Sequence, residues 1–150
     1  MRPDWHEYFM AVAKLISTRS TCNSRPTGAI LVKDRHILAT GYNGSPPGAP
    51  HCLGTFNEDG SPFCYSRHMG TGEADKYNYC RSSHAEANAV AQPARHGIAV
   101  EGATFYSTLA PLYHCPKLPA AELFAQVYLV SHYGSSEFRR EPRWISTLRA

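Results

Sequence analysis

The sequence predicts an α/β domain, a mixed central sheet with helices on both faces. The first observation behind this is order. Apolar periodicity along the chain reads helix, hairpin, helix, strand, helix, strand, and a second half that alternates helix with strand needs crossovers and therefore some parallel pairing. The second is composition, 43% hydrophobic and 18% charged, the balance of a chain that folds around a core. The third is length. A chain of 150 residues is expected to form one domain, 1–150, with enough surface to bury.

Each element has its own signal. Asp4 to Ser17 reads as an amphipathic helix, with Asp4 and Glu7 as an N-terminal cap pair and Trp5, Tyr8, Phe9, Val12, Leu15 and Ile16 at helical spacing. Thr27 to Lys33 is apolar and β-branched, Asp34-Arg35 is a turn, and His36 to Tyr42 returns as the second strand of a hairpin. From Asn43 to Cys80 the chain is rich in Gly, Pro, Ser and Asp without periodicity, and a loop of that length calls for a functional reason or a local staple. Ser83 to His96 is the next helix, closed by Gly97, with Pro93 expected to kink it or end it early. Ala103 to Thr108 is a third strand, Leu112 to Ala125 is helical by pattern, and Gln126 to Ser131 is a fourth strand. The basic tail 137–150 reads as a short surface helix.

A net charge of +3 is too small to argue for nucleic acid or a membrane surface as partner, and it suits a small anionic ligand. Met1-Arg2-Pro3-Asp4-Trp5 lacks the apolar core of a signal peptide and no run nears 18 apolar residues, so the expected location is cytoplasmic. Disulfides are disfavoured there, which leaves metal ligation or simple burial for Cys22, Cys52, Cys64, Cys80 and Cys115. Structural zinc takes four Cys or His ligands. Cys22, Cys52, Cys64 and Cys80 would supply four, with His51 or His68 as substitutes, and would clamp the loop 43–80.

The chemistry-bearing stretch is Ser83-His84-Ala85-Glu86. An imidazole and a carboxylate two residues apart at a helix start allow one to bind a metal while the other moves protons to and from an activated water. Ser83 and Glu86 also fit an S-x-x-E capping box that would start the helix at His84. About 25 residues on, Pro111 and Cys115 fit the P-C-x-x-C half of the zinc nucleobase deaminase signature, H-x-E then P-C-x-x-C, with Leu112 where its first Cys belongs.

Longer motifs carry a family resemblance. Trp5-x-x-Tyr8-Phe9-Met10-x-x-Ala13, Arg19-Ser20-Thr21-Cys22, Gly28-Ala29, Gly41-Tyr42-Asn43-Gly44-Ser45-Pro46, His84-Ala85-Glu86-x-Asn88-Ala89, Gly102-Ala103-x-x-Tyr106-x-Thr108-Leu109-x-Pro111 and Tyr133 resemble the deoxycytidylate (dCMP) deaminases over residues 4–133. The resemblance implies a three-layer cytidine deaminase-like fold and zinc-dependent hydrolytic deamination at C4 of a pyrimidine nucleotide. It implies His84 and Cys115 as catalytic zinc ligands and Glu86 as the proton shuttle. It further implies Asn43 on the sugar, Arg25 near the phosphate and Tyr133 in the pocket wall. Cys22, Cys52 and Cys80 fall where several members hold a second, structural zinc. Members are often hexamers regulated by dCTP and dTTP, which implies a homo-oligomer and Mg2+ with a regulatory nucleotide.

Leu112 departs from the pattern because its side chain has no donor atom, while a catalytic zinc site usually has three protein ligands. His114 is the nearest replacement, although it stands about 100° round a helix from Cys115. Two functions therefore stand open. One is an enzyme acting on dCMP or a related pyrimidine nucleotide through an impaired or rearranged zinc site. The other is an inactive homologue that binds nucleotide or serves as an oligomer partner.

Overall fold

The helix Trp5–Ser17 (α1) opens the chain, in a computed structural model that describes residues 1–70, 72 and 79–109 and the backbone of strands 124–130 and 138–140. Its cap is the one expected. Asp4 Oδ1 accepts from the Glu7 N–H at 2.8 Å, and Glu7 Oε2 accepts from the Asp4 N–H at 2.9 Å. Strands Gly28–Lys33 (β1) and His36–Tyr42 (β2) pair antiparallel through Asp34 and Arg35, whose φ angles of 49° and 63° make the left-handed turn that matches strand twist.

A four-residue helix, Tyr65–His68 (α2), follows, then Ala85–His96 (α3), strand Ala103–Ser107 (β3), and strands Phe124–Val130 (β4) and Phe138–Arg140 (β5). The sheet order is β2-β1-β3-β4-β5. β3 and β4 are parallel and the other neighbouring pairs antiparallel, so the sheet is mixed as expected.

Alternation along β1 divides the core between the two faces. Ala29 and Leu31 pack with Ala85 and Ala89 of α3 and with Phe105, whereas Ile30 and Val32 pack with Phe9, Met10 and Ala13 of α1 and with Tyr106. Both helices lie against backbone at a glycine. A side-chain carbon at Gly28 would collide with Ala13 and Ser17 of α1, and one at Gly41 with Ala85 and Ala89 of α3. The apolar faces are thus seated at close range on either side of the sheet.

Four expectations are corrected. First, the Ser83–Glu86 capping box does not form. His84 is the N-cap, without a side-chain cap bond, because Glu86 is drawn into the interior and the backbone of Ser83 pairs instead with Gly44. Second, of the two effects expected of Pro93, an early end to α3 does not occur. Its ring is fully buried, only the last turn of the helix lies beyond it, and its carbonyl accepts from the Gly97 and Ile98 N–H groups as Gly97 turns left-handed at φ 66°. Third, the stretch after Asn43 is not structureless. It carries α2, begun where the His68 N–H reaches the Cys64 carbonyl, and a Phe56–Pro62 bridge. Fourth, Phe124 and Ala125 belong to β4 rather than to a helix, and residues 138–140 of the tail pair with β4, whose free edge supplies the backbone partners. Otherwise the predicted helix 112–125 and tail 137–150 lie outside the described residues.

Candidate active site

Four chain segments converge at one end of the sheet: the start of β1, the end of β2, the end of β3 and the N-terminus of α3. Antiparallel pairing requires this meeting, since Gly28 stands opposite Tyr42 while Ala29 stands opposite Ser107. A cavity opens there, lined among others by Cys22, Arg25, Asn43, Cys64, His84 and Glu86.

Glu86 is its buried centre, a carboxyl only 4% exposed. The Ser107 hydroxyl, fully buried at the end of β3, lies 3.2 Å from Glu86 Oε1 and 2.9 Å from the Leu109 carbonyl, so its single proton serves one acceptor or the other. Burial pushes the Glu86 carboxyl above its ordinary pKa range. Its own N–H, the charge of His84 and the Ser107 contact pull back without cancelling that. A buried carboxyl held in this way keeps a proton more readily than an exposed one, as a group that accepts and returns protons must.

The mouth of the cavity is organised by Asn43. Its Oδ1 accepts from Ser20 Oγ at 2.7 Å and from the Thr27 N–H at 2.8 Å, and its Nδ2 donates to the Arg25 carbonyl at 2.9 Å. The amide therefore clamps the 20–27 segment and with it Arg25. The backbones of Gly44 and Ser83 exchange two hydrogen bonds, of 3.1 and 2.9 Å, which tie the same loop to the residue before His84.

Three thiols share the wall. Burial raises the Cys80 pKa above the usual thiol range, contacts from Ser82 oppose this, and the nearby Cys22 and Cys64 add to the rise. Burial also pushes Cys64 up, but the Ser66 hydroxyl, the Arg67 and Ser66 N–H groups and the Arg67 charge together bring it below. Cys22 Sγ accepts the N–H groups of Ser24 and Arg25 at 3.4 and 3.5 Å. Imidazole and thiols are the donor types zinc prefers, although among the described residues no three His, Cys, Asp or Glu side chains are gathered to hold one ion.

Of the residues predicted from sequence, Cys22, Arg25, Asn43, Cys64, Cys80, His84 and Glu86 come together on this cavity. Cys52 is buried but does not line it, and His51 is exposed outside it. His68 faces a neighbouring polar hollow with Asn23, Asn57 and Cys64. Leu112, His114, Cys115 and Tyr133 lie outside the described residues. Sequence reasoning missed Ser82, Arg67 and Ser107. Ser107 alone had a signal, its position between Tyr106 and Thr108 at the end of a strand.

Fold and site together define a cytidine deaminase-like α/β protein. The profile of the family described as "Cytidine and deoxycytidylate deaminase zinc-binding region" matches residues 3–130, and the chain belongs to that family. It is 40% identical over 125 residues to the deoxycytidylate deaminase of Mycobacterium phage D29, covering 80% of this chain and 89% of that one. The dCMP deaminase from cyanophage S-TIM5, solved in complex with dCMP and dUMP, superposes with a TM-score of 0.64 at 32% identity, covering 86% of this chain and 82% of that one. Cytidine deaminase from Burkholderia pseudomallei shares the fold at a TM-score of 0.55 and 14% identity, over 93% of this chain and 94% of that one. Among the described residues no helix is long and apolar enough to cross a membrane.

Proposed function

We propose that this chain hydrolyses the exocyclic amine of dCMP or a close pyrimidine nucleotide, releasing ammonia. The observation that carries the reading is Glu86, a buried carboxyl of raised pKa two residues from a metal-competent imidazole in a cavity large enough to hold part of a ligand. His84 and Cys115 would hold zinc, with His114 in the place that Leu112 leaves without a donor. Bound zinc supplies the Lewis acidity that makes water nucleophilic at neutral pH.

The protein's own side chains do the rest. Glu86 takes a proton from the water that adds at C4 of the base and passes it to N3, then carries the proton of the added hydroxyl to the departing amine as the C4–N bond breaks, so that water and dCMP become dUMP and ammonia. Ser107 keeps the carboxyl oriented while its hydroxyl proton points at Glu86 Oε1. Asn43 holds the Arg25 segment at the mouth, where a nucleotide phosphate enters. A second, structural zinc would draw on Cys22, Cys64 and Cys80, which line the same cavity although their side chains are not gathered around one point.

The second reading is a homologue that binds the nucleotide without deaminating it, and the feature that favours it is Leu112. Ammonia release from dCMP decides between them. Under the first reading, Glu86→Gln lowers kcat about a hundredfold to ten-thousandfold, the range of a lost general acid–base group, and leaves dCMP binding nearly intact. Unchanged turnover removes Glu86 from the chemistry. No turnover by the unaltered, zinc-replete protein, with dCMP still bound, establishes the second reading.

A further inference from the structure

We propose that Arg67, brought to the cavity by α2, is a specificity-determining residue that with Arg25 grips the 5′-phosphate, so that the site selects the nucleotide over its nucleoside. The proposal rests on the proposed pyrimidine-nucleotide site and adds a residue to it.

The cavity is polarised. Glu86 is the one carboxylate among its described lining residues, held deep against Ser107, while Arg25 and Arg67 are the two guanidinium groups on the wall. Arg67 stands on the short helix Tyr65–His68, a separate excursion of the chain, and Arg67 Nη2 donates to Ser24 Oγ at 3.4 Å. That contact brings its guanidinium beside the residue preceding Arg25. The bond is long and made to a neutral, exposed hydroxyl, so little energy is lost when the guanidinium turns to an anionic acceptor.

The helix that carries Arg67 is itself steadied from behind. The Arg81 guanidinium lies over the Tyr65 ring, 4.0 Å from its centroid, and the Ser66 side chain is buried. A second observation concerns the wall between the two ends. Ser82 is buried and its Oγ makes no hydrogen bond of ordinary geometry, its polar neighbour being the Cys80 thiol. A buried hydroxyl left in this state costs free energy until a ligand supplies a partner. Two guanidinium groups at the mouth and an unanswered hydroxyl in the wall suit an oxygen-rich dianion, and a nucleoside 5′-monophosphate carries nearly two negative charges at neutral pH. Arginine is the side chain that meets such a group with paired, directed N–H donors.

The test compares dCMP with deoxycytidine, by ammonia release and by calorimetric binding, on the zinc-replete full chain and on Arg67→Ala and Arg67→Lys. Arg67 is exposed, so neither variant removes core packing. Arg67→Ala is expected to lower kcat/KM for dCMP about tenfold to a hundredfold, chiefly through KM, the loss of one charge-assisted phosphate contact. Turnover of deoxycytidine stays at the unaltered level, inorganic phosphate inhibits the variant less well, and Arg67→Lys recovers part of the loss. Equal losses on dCMP and deoxycytidine, or no loss on either, overturn the proposal. If no variant releases ammonia, binding still decides it. Arg67-dependent preference for dCMP over deoxycytidine upholds the grip while the deaminase reading fails, and the absence of such preference removes the grip itself.

Discussion

Asn43 shows how much of a site can hang on one amide. Family resemblance points to a sugar contact, yet its side-chain amide accepts from Ser20 and Thr27 and donates to the Arg25 carbonyl, all within the protein. Thr27 is buried, so its N–H has no recourse to water if Asn43 is truncated. Asn43→Ala is therefore expected to cost about 1–3 kcal/mol in urea unfolding, the penalty of a stranded buried donor, and to weaken dCMP binding as the Arg25 segment loosens. Asn43→Asp keeps the acceptor for Ser20 and Thr27 and loses only the donor to Arg25, so it costs less. Full stability in Asn43→Ala, with binding alone reduced, would return Asn43 to the role of a direct ligand contact. The two residues carrying the proposed chemistry were legible from the sequence because H-A-E joins a ligand type to a proton carrier at fixed spacing. Arg67 was not, since arginine is common on loops and only the fold brings it to the cavity, and Ser107 had no more than its place at the end of a strand.

At the scale of elements, α3 is held on the sheet by apolar contact, backbone approach and polar ties together. Asn88 Nδ2 donates to the Tyr42 carbonyl at 2.8 Å, and the Thr40 N–H donates to Gln92 Oε1 at 3.0 Å. Between these bonds Gly41 lets the helix backbone settle onto β2. Gly41→Ala is expected to destabilise by about 1–3 kcal/mol, the cost of forcing extra volume into a packed contact, and to lower kcat even where the protein remains folded, because α3 carries His84 and Glu86. Stability and kcat both unchanged would mean that α3 shifts without disturbing the site. The same element explains what sequence could and could not reveal. Its period, its Gly97 stop and the α1 capping box were readable because local residues decide them. The failed Ser83–Glu86 box was not, because Glu86 is drawn to the buried hydroxyl donor of Ser107 instead of a surface cap. α2 and β5 span four and three residues, too few for any periodic signal, and form through contacts with distant parts of the chain.

At the scale of the whole molecule, the described residues form a sheet with a helix on each face whose strand ends meet at one rim, and the rim divides the work. The interior faces are apolar and settle the fold, while thiols, arginines, His84 and Glu86 gather where β1 begins and β2 and β3 end. The proposed zinc site can be probed at Leu112, whose side chain has no donor atom. Leu112→Cys adds a thiol at the position proposed for the first Cys of the deaminase signature. If the absent donor is what limits the proposed reaction, zinc per chain measured by plasma mass spectrometry rises together with ammonia release from dCMP. Reduction of zinc by Cys80→Ser in the same background then separates the two sites, because a structural ion lost from the thiol wall lowers thermal stability while an ion lost from His84 lowers turnover. Zinc that rises without ammonia release means that the donor is restored but the reacting groups are not aligned with it. If neither rises, His114 already supplies the third ligand or the proposed catalytic site holds no zinc, and the activity of the unaltered chain distinguishes those two cases.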